Sequence, residues 1–330
     1  MNYKDIFQEF CDRKKSFVEG NKFNVSPIPG MKHKIGKSDE GYPKFFVLTD
    51  VGKSIYTNII GEFLSVEYCV ECNLIEESGQ NTDAIYSIIT LRSNDDHLQQ
   101  IFIEVFLLML STLPEEPTVY DIAIKIEGLL SIFSSLKRKP IHKIQGLWAE
   151  LLIILLSKNP SVVAKAWHNS PGAKYDFTMG TDKIEVKSTS SETRKHKFSL
   201  DQLNPMESSR LLVASVIVRE SAKDENGLSV FDLYDKICEC VSDIEIRIHI
   251  YTVIVDTLGS EYDKANDVYF DYASGKDSLA YYDYKDIPHI LKCNVPEYVS
   301  EVKFVSDLTH IKTTGDNNLK FEEGSLLALV

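Results

Sequence analysis

The stretch Ile141–Ser157 constrains the fold of this chain more than any other. Between Lys143 and Lys158 its only charged residue is Glu150, with Leu147, Trp148 and Ala149 on one side and Leu151-Leu-Ile-Ile-Leu-Leu156 on the other. The length and composition predict a helix that is apolar around its whole circumference, and such a helix has to be enclosed by other elements. An ionised carboxylate at that position costs several kcal/mol unless it is paired or metal-bound. Glu150 then has two explanations: its head reaches solvent or an arginine, or it faces a cation or the lysine of a site.

The run Tyr175-Asp-Phe-Thr-Met-Gly-Thr-Asp-Lys-Ile-Glu-Val-Lys187 follows, and it reads as two short strands joined by a tight turn. Alternate residues of a strand share a face. Asp176 and Thr178 therefore point one way, and Glu185 and Lys187 share a face of the second strand opposite to Ile184 and Val186. Glycine first in a two-residue Gly180-Thr181 loop suits a type II′ turn, which pairs Met179 with Asp182. Counting back sets Asp176 opposite Glu185, with β-carbons about 4.5–5.5 Å apart. Two carboxylates at that spacing repel unless a cation lies between them, which is the geometry of a divalent hard-metal site. A one-residue slip would dissolve the arrangement. A solvated hairpin face of mixed charge is the ordinary alternative, and the lone upstream Glu150 weighs against it.

Bulk properties narrow the function classes. The chain has 330 residues, 43% hydrophobic and 26% charged, enough for two or three units of ordinary globular composition. No apolar run reaches the roughly 18 residues of a membrane helix, and the first residues lack a signal-peptide pattern, so a cytoplasmic protein is expected. A net charge of −13 argues against a broad, non-specific nucleic-acid coat. It leaves room for a nuclease whose metal supplies local positive charge. The best basic stretch holds Lys183, Lys187, Arg194, Lys195, His196 and Lys197. Cys69-Val-Glu-Cys72 and Cys238-Glu-Cys240 sit in strand-like and helical patterns and lack further ligands at zinc spacing, so reduced thiols are expected. The triplets Gly36-Lys-Ser38 and Gly52-Lys-Ser54 lack the first glycine of a phosphate-binding loop, since Met31 and Val47 stand there.

In order, residues 1–92 read as a β-rich domain with strands at Phe45–Leu48, Ser54–Ile60, Phe63–Val70 and Ala84–Leu91. Residues 93–140 form a helical linker region, with helices over His97–Leu113 and Thr118–Leu136 and a boundary at Lys137-Arg-Lys139 and Pro140. Residues 141–258 form an α/β core. In it Ser190–Lys197 is a polar, basic loop, Phe198–Leu203 opens a short helix, and Leu211–Val218 is a strand buried on both faces. Val230–Val241 is helical, and Ile244–Val255 is ambiguous because its isoleucines alternate. Residues 259–330 form a β-rich extension with strands at Val268–Tyr272, Leu279–Tyr284 and Val299–Val305.

Helix, three strands, helix and strand, with Glu150 on the helix and Asp176…Glu185-x-Lys187 on the hairpin, resembles the core of the PD-(D/E)XK nuclease superfamily. Several stretches are similar to a bacterial family of PD-(D/E)XK motif proteins found beside restriction-modification and phage-defence genes. They are Gly146–Leu152, Ala166–His168, Tyr175–Phe177, Ile184–Thr189, His196–Leu203 and Val295–Val302. The likeness is strongest over residues 140–220, and Tyr175 stands where the motif often has proline.

The resemblance implies a restriction-endonuclease-like αβββαβ core with a mixed central sheet. It implies a Mg²⁺-dependent deoxyribonuclease, a hydrolase of phosphodiester bonds, with Mn²⁺ substituting. Asp176 and Glu185 would ligate the metal, with the Val186 carbonyl an extra ligand. Lys187 would orient or help deprotonate the attacking water and offset phosphate charge. Glu150 would hold a second metal or the lysine, and Gln202 matches a glutamine that lies near the site in many relatives. Ser188 and Thr189, with Lys195 and His196, would contact substrate phosphate. The implied partners are DNA and other defence proteins such as a methyltransferase or an ATPase/helicase, and a homodimer would suit double-strand cleavage. The alternatives are a non-catalytic DNA-binding or scaffold subunit that keeps the fold, and an RNA-directed nuclease.

Overall fold

A computed structural model describes residues 3–12, 21–49, 56–61, 63–135, 144–170, 172–223, 226–317 and 319–330. It divides into two compact units, Met1–Ser135 and Leu136–Val330. The triplet Gly52-Lys-Ser54, the basic run Lys137-Arg-Lys139 with Pro140, and Ile141–Lys143 lie outside the described residues.

The first unit begins with helix α1 (Tyr3–Asp12) and strands β1 (Lys22–Pro27), β2 (Lys34–Lys37), β3 (Pro43–Leu48), β4 (Ile59–Ile60), β5 (Leu64–Glu76) and β6 (Asn81–Leu91). The strands form one sheet in the order β1-β2-β3-β6-β5-β4, and β1 also pairs parallel to β5, so the sheet closes on itself. Val25, Phe46, Cys72, Leu74, Tyr86 and Ile88 form one core of this sheet. Around Cys69 the register of β5 against β6 shifts between Glu67 and Val70, and Cys69 takes φ +55°, as a bulge residue can. Gly36 sits inside a strand, where an added β-carbon would lie 3.0 Å from the Asn24 carbonyl oxygen, and not in a loop that opens a helix. Helices α2 (Asp96–Leu110) and α3 (Val119–Ser135) belong to this unit. Phe45 of the sheet packs edge-on against Phe102 and Phe106 of α2.

The second unit is organised by α4 (Ile144–Leu156), whose residues from Leu147 to Ile154 are all buried. Trp148 donates its indole N–H to the Leu228 carbonyl at 2.8 Å. After α5 (Pro160–Ala166), strands β7 (Phe177–Met179) and β8 (Asp182–Thr189) form the expected hairpin, and then come β9 (Lys195–Ser199) and β10 (Arg210–Ile217). Strands β11 (Glu220–Ser221) and β12 (Gly227–Leu228) precede helices α6 (Val230–Cys240) and α7 (Ile244–Leu258). The chain ends with β13 (Tyr269–Asp271), α8 (Tyr272–Ser278), β14 (Ala280–Asp283), β15 (Lys303–Asp307) and α9 (Leu326–Leu329).

The central sheet has the order β14-β10-β8-β7, with β10 parallel to β8 and antiparallel to β14. A parallel pair is buried on both faces, which is why β10 is buried from Leu211 to Ile217 and apolar there except for Ser215. Leu211 and Val213 meet Tyr175, Phe198, Leu203, Tyr282, Ile287 and Leu308 in one cluster. The architecture is mixed α/β with several sheets.

Two local expectations are corrected. Phe198–Leu203 does not open a helix: residues 195–199 alternate exposed and buried as β9, pair with β15, and run into a turn. The Gln202 side chain accepts the Ser199 N–H there, and Asn204 donates to the Leu200 carbonyl. Lys195–Lys197 are therefore strand, not loop. Residues 244–258, left open between strand and helix, are helical. Ile246 and Ile250 are buried four residues apart, Asp243 caps the start, and Arg247 donates to the Cys238 and Val241 carbonyls at the end of α6.

Candidate metal centre

The hairpin register is the one read from the turn. Met179 pairs with Asp182, Thr178 with Lys183 and Phe177 with Ile184. Gly180 takes φ +57° at the first loop position, where a side chain would be strained. Asp176 stands just before β7, and its Oδ2 accepts the Val186 N–H at 2.6 Å. That contact fixes the Asp176 carboxylate beside the Glu185–Val186 segment of β8.

The segment after α5 supplies the next partners. Trp167 forms a bridge with Phe177, the His168 N–H donates to the Asp176 carbonyl at 2.9 Å, and the Asn169 side chain donates to the Thr178 carbonyl at 2.8 Å. Residues 167–169 thus run along the hairpin and set the His168 ring beside the Asp176 side chain. Glu150, 5% exposed, takes two contacts on Oε2: the Trp167 indole N–H at 2.8 Å and His168 Nε2 at 2.9 Å. His168 Nε2 also lies 4.0 Å from Asp176 Oδ1. Glu150, His168 and Asp176 each offer one ligand atom within 4.8 Å of the others.

Glu185 completes the group. Its Oε1 accepts from Lys187 Nζ at 2.7 Å and from the Gln202 amide in a short hydrogen bond. Its Oε2 is buried without a hydrogen-bond partner, on a residue 2% exposed. The lysine thus pairs with Glu185 and not with Glu150, and its ammonium also lies 5.2 Å from the Phe198 ring centre. Burial pushes Asp176 well above the usual carboxylate range, and the Glu185 and Glu150 charges push it further, against the Val186 N–H and Lys187. Glu185 is raised for the same first reason, burial, partly offset by Lys187. Carboxylates that crowd one another, with one orphaned oxygen, fit a divalent cation, which would satisfy that oxygen and reverse both upward shifts.

The remaining predicted positions lie farther along β8 and on β9. Ser188 and Thr189 lie half-buried farther along β8, where Thr189 accepts the Ser191 N–H. Lys195 is exposed and 4.0 Å from Asp307. His196 is buried, with Nε2 2.8 Å from the Ser215 hydroxyl, and burial holds its pKa down to about 4 with help from Lys187 and Arg194. The Arg194 guanidinium donates to Ser215 and to the Ser278 carbonyl, and Lys183 donates to the Gly180 carbonyl. The basic stretch is therefore divided between interior and surface. Sequence reasoning missed Trp167 and His168 as partners of Glu150. The only signal was the Ala166-Trp-His168 stretch, which carried no spacing to the acids.

The family comparison decides what this geometry belongs to. A family model described as "Putative PD-(D/E)XK family member, (DUF4420)" matches residues 30–309. The chain belongs to this family. The PD-(D/E)XK family match spans both compact units. No curated protein and no solved structure matches the chain. No described helix is long and apolar enough to cross a membrane.

Proposed function

We propose that this chain is a divalent-metal-dependent deoxyribonuclease that hydrolyses phosphodiester bonds, acting in the cytoplasm within a bacterial restriction or anti-phage defence system. One observation carries the reading beyond family membership: the buried, unpartnered Oε2 of Glu185 beside a lysine paired to the same carboxylate. Asp176, Glu185 and Glu150 would hold the cation, Mg²⁺ or Mn²⁺, with the Val186 carbonyl as a further oxygen ligand. The bound cation would polarise a phosphoryl oxygen and lower the pKa of a coordinated water.

The chain's own residues do the rest. The Val186 N–H fixes one oxygen of Asp176 and leaves Oδ1 available. Gln202 and Lys187 hold Glu185 by the same oxygen, which leaves the other available. The Lys187 ammonium places positive charge where a phosphate oxygen would gain negative charge, and it can orient the attacking water. Ser188 and Thr189, next along β8, would contact the flanking phosphate. The surrounding αβββαβ arrangement is the fold that this reading assigns to the second unit.

Purified protein should nick or cut plasmid DNA with Mg²⁺ or Mn²⁺, and Asp176→Ala or Lys187→Ala should abolish it. Equal cleavage by wild type and both variants in clean preparations would remove the catalytic assignment. A non-catalytic DNA-binding or scaffold subunit is the second reading, favoured by the net charge of −13. Normal protection against phage in cells carrying Lys187→Ala would select it. In either reading the partners are DNA and other defence proteins.

A further inference from the structure

His168 stands at this site beside Glu150 and Asp176. Its backbone is in the left-handed region, φ +38°, uncommon for a residue with a side chain and costing of order 1–3 kcal/mol. The strained backbone is held by the Trp167–Phe177 bridge and by the His168 N–H on the Asp176 carbonyl. Structure on both sides of the residue thus keeps the imidazole facing Glu150 and Asp176.

Two of the distances suit one coordination sphere. In an octahedron with metal–ligand bonds of about 2.1 Å, neighbouring ligands lie about 3.0 Å apart and opposite ones about 4.2 Å. His168 Nε2 is 2.9 Å from Glu150 Oε2 and 4.0 Å from Asp176 Oδ1, so the first pair has the spacing of neighbours and the second approaches that of opposites. All three atoms lie within 4.8 Å of one another. The Trp167 indole N–H would still hold Glu150 in place, the role an outer hydrogen bond plays for a ligating group. The orphaned Glu185 Oε2 is an independent sign that this interior suits a cation.

We propose that His168 is a metal ligand, so that the centre is a mixed imidazole–carboxylate site that takes a first-row transition cation in preference to Mg²⁺. The inference rests on the reading of this site as metal-dependent and narrows which metal it holds. Imidazole nitrogen suits transition metals, whereas Mg²⁺ requires oxygen ligands and gives up its waters reluctantly.

The test is metal binding by the full chain, without substrate. Mn²⁺ affinity is measured by electron paramagnetic resonance and Co²⁺ against Mg²⁺ by calorimetric competition, for wild type and His168→Gln. The expected results are a nitrogen coupling on bound Mn²⁺ that changes with ¹⁵N-histidine labelling, and Co²⁺ binding at least tenfold tighter than Mg²⁺. In His168→Gln the coupling should vanish, and the Co²⁺-to-Mg²⁺ ratio should fall by about tenfold. Labelling the wild type keeps the proposal testable even if the variant does not fold. Binding of both metals with no histidine coupling overturns this inference alone. Binding of neither overturns it together with the metal-dependent reading.

Discussion

Replacing Asp176 by Asn separates a metal centre from a cluster that merely stabilises the fold. Asp176 and Glu150 have ligand atoms within 4.8 Å, and the Glu185 charge is the strongest one felt by Asp176. Two unit charges at that distance repel by about 3 kcal/mol at an effective dielectric constant of 20. Proton uptake by the raised carboxylates relieves part of this, which leaves about 1–2 kcal/mol to recover. Asparagine keeps an oxygen for the Val186 N–H, so the substitution removes charge and little else. Asp176→Asn should therefore raise the stability of metal-free protein by about 1–2 kcal/mol, or about 2–6 °C in melting temperature for a unit of this size. It should also remove stabilisation by added Mn²⁺. The pH dependence has a definite sign. A carboxylate raised in the folded state keeps its stability contribution below its unfolded pKa and loses it as pH rises through the folded one. The advantage of the variant should therefore grow as pH rises above the ordinary carboxylate range. Thermal unfolding in EDTA and in Mn²⁺, over a series of rising pH values, measures all three. A variant less stable than wild type in EDTA by more than 1 kcal/mol refutes the reasoning, because a satisfied structural carboxylate would behave in that way.

Asp182 is buried and accepts from Arg210, the Ser325 hydroxyl and the Leu326 N–H, so Asp182→Ala should cost about 3–5 kcal/mol by chemical denaturation. Loss of hydrogen-exchange protection at the amides of α9 should accompany it. An added β-carbon at Gly275 would lie 2.7 Å from the ring of Trp148, which is fully buried and tied to Leu228. Gly275→Ala should destabilise by about 1–3 kcal/mol, seen as a lower melting temperature. His196 is held neutral with a pKa of about 4, so its contribution is complete above its unfolded pKa and declines as pH falls through 6.5 toward 4. Between pH 7 and pH 5 that loss is about 2 kcal/mol, and His196→Asn should flatten this part of the stability curve.

What could be read in advance follows from how local each determinant is. The Met179–Asp182 pairing depends on four consecutive residues and a glycine with positive φ, and the Asp176-to-Val186 contact follows from that register. Glu150 was conspicuous because every neighbour on its helix is apolar. Its partners Trp167 and His168 were hidden, since they lie 17 and 18 residues away on a different segment with no periodic relation to it. The errors have a similar origin. An isoleucine every second residue also places isoleucines four apart, so the 244–250 run satisfies both a strand and a helix until tertiary burial selects one. In β9 the buried His196 and Phe198 alternate with lysines, and the pattern becomes a strand because β15, more than a hundred residues later, pairs with it. Gln202 was reached through resemblance, and its hydrogen bond to Glu185 depends on the turn that replaced the expected helix.

The charge balance of the chain leads to a last expectation about how a phosphodiester is held. The protein carries a formal net charge of −13, and at the centre three carboxylates (Glu150, Asp176 and Glu185) face one ammonium, Lys187, a formal balance of −2. The other basic side chains of the Lys183–Lys197 stretch are partly committed elsewhere: Arg194 to Ser215 and Ser278, Lys183 to the Gly180 carbonyl. A polyanion approaching the metal-free centre therefore meets repulsion, and one divalent cation brings the formal balance to zero. Under the proposed function, affinity for DNA should be conditional on the cation. In EDTA at 150 mM salt, fluorescence anisotropy should show no binding of a short duplex at micromolar protein. Adding Ca²⁺, an oxygen-seeking divalent ion, should bring binding into range, and Asp176→Asn should abolish that gain. Tight binding in EDTA that Asp176→Asn leaves unchanged would place the DNA contacts on another surface, as the non-catalytic reading requires.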